Sequence, residues 1–491
     1  MPHFDLDKLL DAVDLSALAQ KYGAKFTRQT GQDLRCACPL HRGKNPTAFT
    51  VYQDNNDRWH WRCYTDCDAG GDALEFIKRA ENLTDFVEVV KALAGYAHLP
   101  LDEIGFTPER VAEIVEQKKR TDVLDLAARY FASQLWSAAG AEALAYVRGR
   151  AFTDDTLRMA GWGFSDGGPG LQNYLTHAGA DMALAHKLGL IRADGLDFTA
   201  NKDGQTASPK GWLIYPHRPG MGGFKRQTCD VCQADTWHAK TGQEGGVCLR
   251  HNALLPTLTG IEYLSSRALA PIDPKDKARN LVGSRYLYKA EVPGIRTVIL
   301  VEGPADAESL RQLGFTAWAL CGLGALPEAD LRTLKQRPTS CLALDGDGPG
   351  QAKVEKLANV LGPLTRVVAP FAEGKDANAF LQAGGNAATV TTTLKEAEVW
   401  IETLLAKTDE AAPDELVELT TQIAVLLLEL PESLAPRYYN QAGKKLSMTK
   451  KELQALGKAK NENATGLSLS SIQNGQIAFL GEPLANFSAR I

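Results

Sequence analysis

The pattern of hydrophobic and polar positions changes several times along the chain and predicts a different structure in each stretch. Residues 1–100 open with an amphipathic helix, continue through the alternating aromatic stretch FTVYQDNNDRWHWRC, which is typical of β-strands, and close on a helix. The charged residues 101–122 predict a linker with some helical character. Residues 123–195 have helical periodicity, and residues 212–290 become strand-like with Gly and Pro breaks. The chain is therefore expected to contain several domains.

Strands and helices then alternate over residues 296–390. The apolar segments RTVILV, FTAWAL and SCLAL predict strands, and a helical pattern of about ten residues follows each of them. This order favours βαβ units in a parallel sheet that is buried on both faces, with functional residues at the carboxyl ends of the strands. Residues 391–465 are helical and acidic, and residues 466–491 are strand-like, either a tail or the start of a further domain.

Composition and charge restrict the class of protein. The 491 residues, 44% hydrophobic and 23% charged, suggest about three to five globular domains and argue against a disordered chain. Apolar runs stay well short of the about 18 residues of a membrane span, and the acidic N-terminus differs from a signal peptide, so we expect a cytoplasmic protein without membrane contact. The net charge of -5 excludes a uniformly basic nucleic-acid coat protein. Residues 205–289, with twelve Lys or Arg against six Asp or Glu, are either a phosphate-facing surface or a solvated face.

Seven of the nine cysteines fall into two clusters with metal-ligand spacing. An odd number of cysteines without an export signal favours metal binding over disulfides. The first cluster has two ligand pairs, separated by a hairpin-sized insert of 21 residues: Cys38 and His41, then Cys63 and Cys67. Four such ligands leave no place for water, so the cluster predicts a structural zinc site, with Cys36 as a spare thiol. Trp59, Trp61 and Tyr64 next to it would suit base stacking or packing against the ribbon.

The second cluster also consists of two close pairs of Cys and His residues. Cys229 and Cys232 form one pair, and Cys248 and His251 form the other after 15 residues. It predicts a second zinc site, so that one or two Zn²⁺ are expected in all.

A set of acidic residues follows the predicted parallel strands. Glu302 and Asp306 come after one apolar strand, Asp345 and Asp347 after another, and Asp376 stands about 30 residues further on. Acids at strand ends converge on one edge of a sheet, where their oxygens can hold Mg²⁺ together with water and a substrate phosphate. By itself the DGDG sequence is equally compatible with an Asx turn or a calcium loop.

Together these motifs resemble a known family. The series of strand-EG-xx-D, strand-DGD and GKD resembles a TOPRIM domain, and the order of parts over most of residues 1–390 resembles bacterial, phage or mobile-element DnaG-type DNA primases. CPLHRGKNPTAFTV…WRCYTDCDAGGDALEFI is similar to the primase zinc ribbon, and ALAYVRGRAFTDDTLRMAGWGFSD and GWLIYPHRPGMGGFKRQ are similar to the N-terminal half of the polymerase core. The resemblance implies a multidomain α/β protein, and its parts are an α+β zinc ribbon (1–100), the linker (101–122), a mixed core subdomain (123–295) with an inserted knuckle (225–255), an α/β TOPRIM subdomain with a parallel sheet (296–390), the helical region (391–465) and the tail (466–491).

The resemblance also implies roles for individual residues. Glu302 matches the acid that serves as metal ligand or general acid/base, Asp345 and Asp347 match the metal-binding pair, and Asp306 and Asp376 match supporting acids of the Mg²⁺ or Mn²⁺ site. The implied activity is synthesis of short RNA primers from NTPs on single-stranded DNA, with a replicative helicase as partner, in trans or on a longer native chain. Candidates for holding template or nucleotide are Lys225, Arg226, Lys275, Lys277, Arg279 and Arg285.

Three departures from the family pattern stand out. Three residues separate Cys63 from Cys67 where many members have two, Asn378 replaces a second Asp, and the knuckle at Cys229 is an insertion. Two other functions use related features: a TOPRIM-type metal-dependent nuclease, which cuts phosphodiesters with the same acids, and a non-catalytic DNA-binding module, which needs no metal.

Overall fold

A computed structural model describes residues 5–30, 33–54, 58–200, 208, 210–218, 224–228, 235–239, 247–248, 260–271, 273, 277–283, 286–292, 294–337, 339–344, 348–369, 371 and 376–465. The chain divides into two compact units, residues 1–119 and 120–491. The division falls within one helix, Pro108–Leu135, so the stretch predicted as a linker is largely helical. Among the described residues, no helix is both long enough and apolar enough to cross a membrane.

The first unit combines an antiparallel sheet with short helices. Its five strands pair in chain order and are β1 (Arg28–Thr30), β2 (Asp33–Cys36), β3 (Phe49–Gln53), β4 (Trp59–Cys63) and β5 (Gly70–Gly71). Its helices are α1 (Leu6–Asp11), α2 (Leu15–Lys21), α3 (Ala73–Ala80), α4 (Phe86–Ala97), a 3-10 turn (Leu101–Ile104) and the start of α5 (Pro108–Leu135). The predicted hairpin is confirmed, with Phe49 opposite Cys63. The rings of Phe49, Trp61 and Phe76 meet in the core at centroid distances of 5.6 to 6.1 Å.

The second unit begins with a helical stretch and two small antiparallel sheets. The helices are a 3-10 turn (Ala138–Gly140), α6 (Ala141–Gly149), α7 (Asp154–Ala160), α8 (Gly170–His177) and α9 (Met182–Lys187). One sheet has the order β11-β7-β6 and the other β10-β9-β8, formed by β6 (Gly163–Ser165), β7 (Trp212–His217), β8 (Phe224–Thr228), β9 (Asp235–Ala239), β10 (Val247–Cys248) and β11 (Tyr263–Ala268). Successive residues of β7 point to opposite faces, so Ile214 packs with Phe131 of α5 while Tyr215 joins the core of the larger sheet that follows.

The larger sheet confirms the predicted βαβ pattern. Its order is β12-β14-β13-β15-β16-β17, and β14, β13, β15 and β16 are parallel. The strands are β12 (Tyr288–Ala290), β13 (Val298–Val301), β14 (Ala317–Ala319), β15 (Ser340–Leu342), β16 (Arg366–Val367) and β17 (Glu398–Val399). Between them lie α10 (Pro304–Gln312), α11 (Glu328–Lys335), α12 (Gly348–Leu361), α13 (Ala377–Gln382) and α14 (Ala387–Glu396). Ile299 and Val301 of β13 belong to the core on one face, and Val298 and Leu300 belong to the core on the other. The sheet is therefore buried on both faces, as expected.

The helical region after residue 391 packs on the second of these faces. It continues with α15 (Trp400–Lys407), α16 (Pro413–Leu428), α17 (Ala435–Leu446) and α18 (Lys450–Thr465). Trp400, Ile423 and Leu453 share a core with Leu300. The tail 466–491 and its predicted strand lie outside the described residues.

A buried polar network connects the two halves of the second unit. Tyr288 donates to Glu308 (2.6 Å) and accepts from Trp162 Nε1 (2.9 Å), while Arg311 pairs with Glu308 and donates to the Thr156 carbonyl (3.0 Å). Because each charged group is paired, burial of this network does not leave an isolated charge. The network fixes α10, which follows Glu302, against α7.

Candidate zinc centre and candidate active site

The four predicted ligands of the first zinc site lie together. Cys38 follows β2, Cys63 ends β4, and the ligand atoms of these two residues, His41 and Cys67 all lie within 4.8 Å of one another. The Sγ atoms of Cys38 and Cys67 are 3.7 Å apart, close to the about 3.8 Å edge of a tetrahedron with Zn–S bonds of about 2.3 Å. Burial, followed by the nearby Cys38, raises the pKa of the Cys67 thiol to about 12. Three thiols and one imidazole in this arrangement fit Zn²⁺, because the metal would stabilise the thiolates.

A carboxylate lies beside the outer nitrogen of the His41 ring. Its Nδ1 faces the thiols, 3.0 Å from Cys67 Sγ, and its Nε2 lies 3.2 Å from Asp66 Oδ2. At this distance the Asp66 carboxylate favours the tautomer that carries the proton on Nε2 and leaves the Nδ1 lone pair for metal. Asp66 belongs to the three-residue spacer between Cys63 and Cys67. A Cβ at Gly43 would collide with the His41 ring, so a larger residue there would displace the ring.

The aromatic side chains near the zinc ligands divide between core and surface. Trp61 is fully buried, and the partly buried Trp59 packs against the same core. Tyr64 is 60% exposed, with the Arg62 guanidinium 5.9 Å from its ring centroid. Of the three aromatic residues, Tyr64 is the most exposed.

Glu302 occupies the predicted position at the edge of the parallel sheet. It follows β13 directly, and its backbone carbonyl accepts a hydrogen bond from Cys321 N (3.0 Å) after β14. Its carboxylate Oε2 lies 3.0 Å from Lys353 Nζ of α12, and the two side chains are 29% and 23% exposed. Lys353 carries no signal in the sequence, since only the fold brings it to Glu302.

Asp306 and Asn378 form a buried joint behind Glu302. Asp306 Oδ2 accepts from Gly303 N and its Oδ1 accepts from Asn378 N, both at 3.2 Å. The Asn378 amide is fully buried; its Oδ1 accepts from Arg150 Nε (2.6 Å), and its Nδ2 donates to the carbonyl of Arg150 (3.2 Å) and to Ser309 Oγ (2.9 Å). Both residues thus connect α10, α13 and the end of α6.

Of the three remaining acids, the structure describes only Asp376. Asp376 is exposed and caps α13 by accepting from Ala379 N (2.7 Å). Asp345 and Asp347 lie outside the described residues, in the three positions before α12 begins at Gly348.

The comparisons with known proteins match the two segments that contain these sites. The CHC2 zinc finger family matches residues 1–105, and the Toprim-like family matches residues 299–381. The DNA primase of Myxococcus xanthus is 26% identical over 394 residues, covering 78% of this chain and 57% of that protein. This chain is a relative of the DnaG-type DNA primases. The Pseudomonas aeruginosa DNA primase is 27% identical over 451 residues, covering 88% of this chain and 61% of that protein.

The primase-like chain spans little more than half the length of these curated relatives, 57% and 61%. Among solved structures, the Aquifex aeolicus primase with its zinc-binding and RNA polymerase domains aligns with 93% of this chain and 100% of that chain, at 18% identity and a TM-score of 0.48.

The basic candidates of this primase relative differ in their surroundings. Arg279 Nη1 donates to the carbonyl of Thr199 (3.0 Å) and also to that of Ala200, and its guanidinium lies 5.2 Å from the Trp212 ring centroid. Arg279 therefore stabilises the fold locally, whereas Lys277 is exposed. Lys225 and Arg226 lie on β8, and their side chains, like Lys275 and Arg285, lie outside the described part.

The second predicted zinc site also falls largely outside the described residues. Cys248 ends β10, with only its backbone described, and Cys229, Cys232 and His251 lie outside the described ranges. The second zinc stays a prediction.

Proposed function

We propose that this protein is a template-dependent primase that joins ribonucleoside triphosphates into short RNA primers on single-stranded DNA. The observation that carries the proposal is Glu302 at the carboxyl end of the buried parallel strand β13, in a Toprim-like segment of a chain that also has a primase-type zinc ribbon. The carboxyl ends of parallel strands are where ligands bind in open α/β sheets. Its NTP substrates, its DNA template and its action in the cytoplasm are parts of this proposal.

In the proposed mechanism, Glu302, Asp345 and Asp347 would hold Mg²⁺ or Mn²⁺. A metal held there would supply activation of the 3′-hydroxyl and stabilisation of the negative charge at the α-phosphate, from which pyrophosphate is the leaving group. Glu302 presents a partly exposed carboxylate at the sheet edge, which suits direct ligation. Asp306 and Asp376 would support the site from behind, because their oxygens already accept backbone N–H groups.

The zinc ribbon would contact the template through its surface. Tyr64 would stack on a base and Arg62 would approach the phosphate backbone, in the manner of single-strand binding proteins. The candidates for further phosphate contacts are Lys225, Arg226, Lys275, Lys277 and Arg285. A replicative helicase is the proposed partner protein.

The experiment that tests the function is incorporation of labelled NTPs on unprimed single-stranded DNA. Glu302→Gln should reduce primer synthesis by at least about 100-fold, because the neutral amide is a poor metal ligand and a poor base. Glu328 is an exposed residue of α11, the helix that follows β14 of the same sheet. Glu328→Gln is therefore the matched control and should retain wild-type activity. Undiminished synthesis by Glu302→Gln would contradict the proposal.

A further inference from the structure

The side chain that faces the candidate catalytic acid is Lys353. Lys353 lies on the second turn of α12, the helix that starts immediately after the Asp345–Asp347 segment. Helical side chains lean toward the N-terminus of their helix, so the Lys353 ammonium points back to the edge of the sheet. There its Nζ lies 3.0 Å from Glu302 Oε2.

This ion pair differs from the ordinary surface pairs of the protein. It joins residues 51 positions apart, on different elements, and both side chains are less than a third exposed. Among the described residues, Lys353 is the only charged side chain paired with Glu302. Lys356, three residues later on the same helix, is exposed and provides a natural comparison.

We propose that Lys353 is a positioning residue that occupies the Glu302 carboxylate before the divalent metal binds and is displaced by it. The inference rests on the proposed function, since it takes Glu302 as a metal ligand. One carboxylate oxygen cannot keep a lysine at 3.0 Å and also bind a divalent ion closely without bringing like charges together. Lys353 therefore holds Glu302 in place in the free protein and lowers the affinity of the site for metal.

The test is the affinity of the full, zinc-loaded chain for Mn²⁺, measured by the loss of the free-ion EPR signal. Lys353→Met keeps the length of the side chain and removes the charge, so it should tighten Mn²⁺ binding about tenfold at this half-buried position. Lys353→Arg should stay close to wild type because it keeps the cation, and Lys356→Met is the control that loses a charge on the same helix without facing Glu302. Glu302→Gln should weaken the binding.

The outcomes separate this inference from the proposed function. If Glu302→Gln weakens Mn²⁺ binding but Lys353→Met matches wild type, or binds more weakly, the displacement by metal is wrong while the metal site stands. A gain in Lys356→Met equal to that in Lys353→Met would also overturn the inference, because the effect would then reflect net charge alone. If Glu302→Gln leaves Mn²⁺ binding unchanged, both the inference and the proposed metal site fail.

Discussion

The joint at Asn378 predicts a large loss of stability from one small truncation. Asn378→Ala removes an acceptor for Arg150 Nε and a donor to both the Arg150 carbonyl and Ser309 Oγ, at a fully buried position. Leaving a buried polar group without its partner costs about 1–3 kcal/mol, while the partly exposed Arg150 guanidinium can recover water. The Arg150 carbonyl and Ser309 Oγ would each lose a donor, so we expect Asn378→Ala to lower the free energy of unfolding by about 3 kcal/mol. The neighbouring Gln382→Ala, which removes one exposed partner of Asn378, should cost less than about 0.5 kcal/mol.

Urea unfolding followed by tryptophan fluorescence measures this loss. Six of the eight tryptophans lie in the second unit, so the signal reports mainly on the unit that contains Asn378. Asn378→Asp, which restores the residue type usual in the family, should cost less than Asn378→Ala, since a carboxylate still accepts from Arg150 but cannot donate to its carbonyl. A loss below about 1 kcal/mol for Asn378→Ala, with an unchanged slope, would refute the role of this joint.

Two further predictions concern the zinc ribbon and a buried histidine. Asp66→Asn should weaken zinc binding about threefold in a chelator competition, less than the roughly 10–100-fold typical of such partners because the carboxylate is 78% exposed, while Asp68→Asn should have no effect. Equal affinities of the two variants would refute the orienting role of Asp66. Burial lowers the pKa of His217 to about 4, so the folded state stays neutral while the unfolded state takes up a proton below about pH 6.5. Stability should therefore fall by about 3 kcal/mol as the pH drops from 6.5 to 4, and urea midpoints of His217→Asn that fall just as steeply would contradict this.

The alternating strands and helices of residues 296–390 were predictable because each strand is apolar on both faces. The helices between the strands are short segments. The zinc ligands were predictable from their spacing alone, since two close pairs on a hairpin meet wherever the hairpin forms. The partners of these residues were not. Lys353, Asp66 and Asn378 gain their roles from contacts that have no periodicity in the sequence.

The sequence left the exposure of several side chains open, because tertiary packing decides it. Trp61 sits in an alternating strand beside arginines, yet its ring fills the core of the ribbon. Arg279 belongs to a basic stretch, yet it donates to backbone carbonyls. Charge and aromatic content alone do not distinguish a binding face from a packed one.

The most direct measurement is primer synthesis on unprimed single-stranded DNA by the wild type and by Asp345→Ala/Asp347→Ala, in Mg²⁺ or Mn²⁺. We expect short RNA products from the wild type and none from the double variant. Products of equal yield from both proteins would contradict an active site at the Toprim-like edge. Degradation of the template that needs the same acids, without RNA synthesis, would make the protein a nuclease.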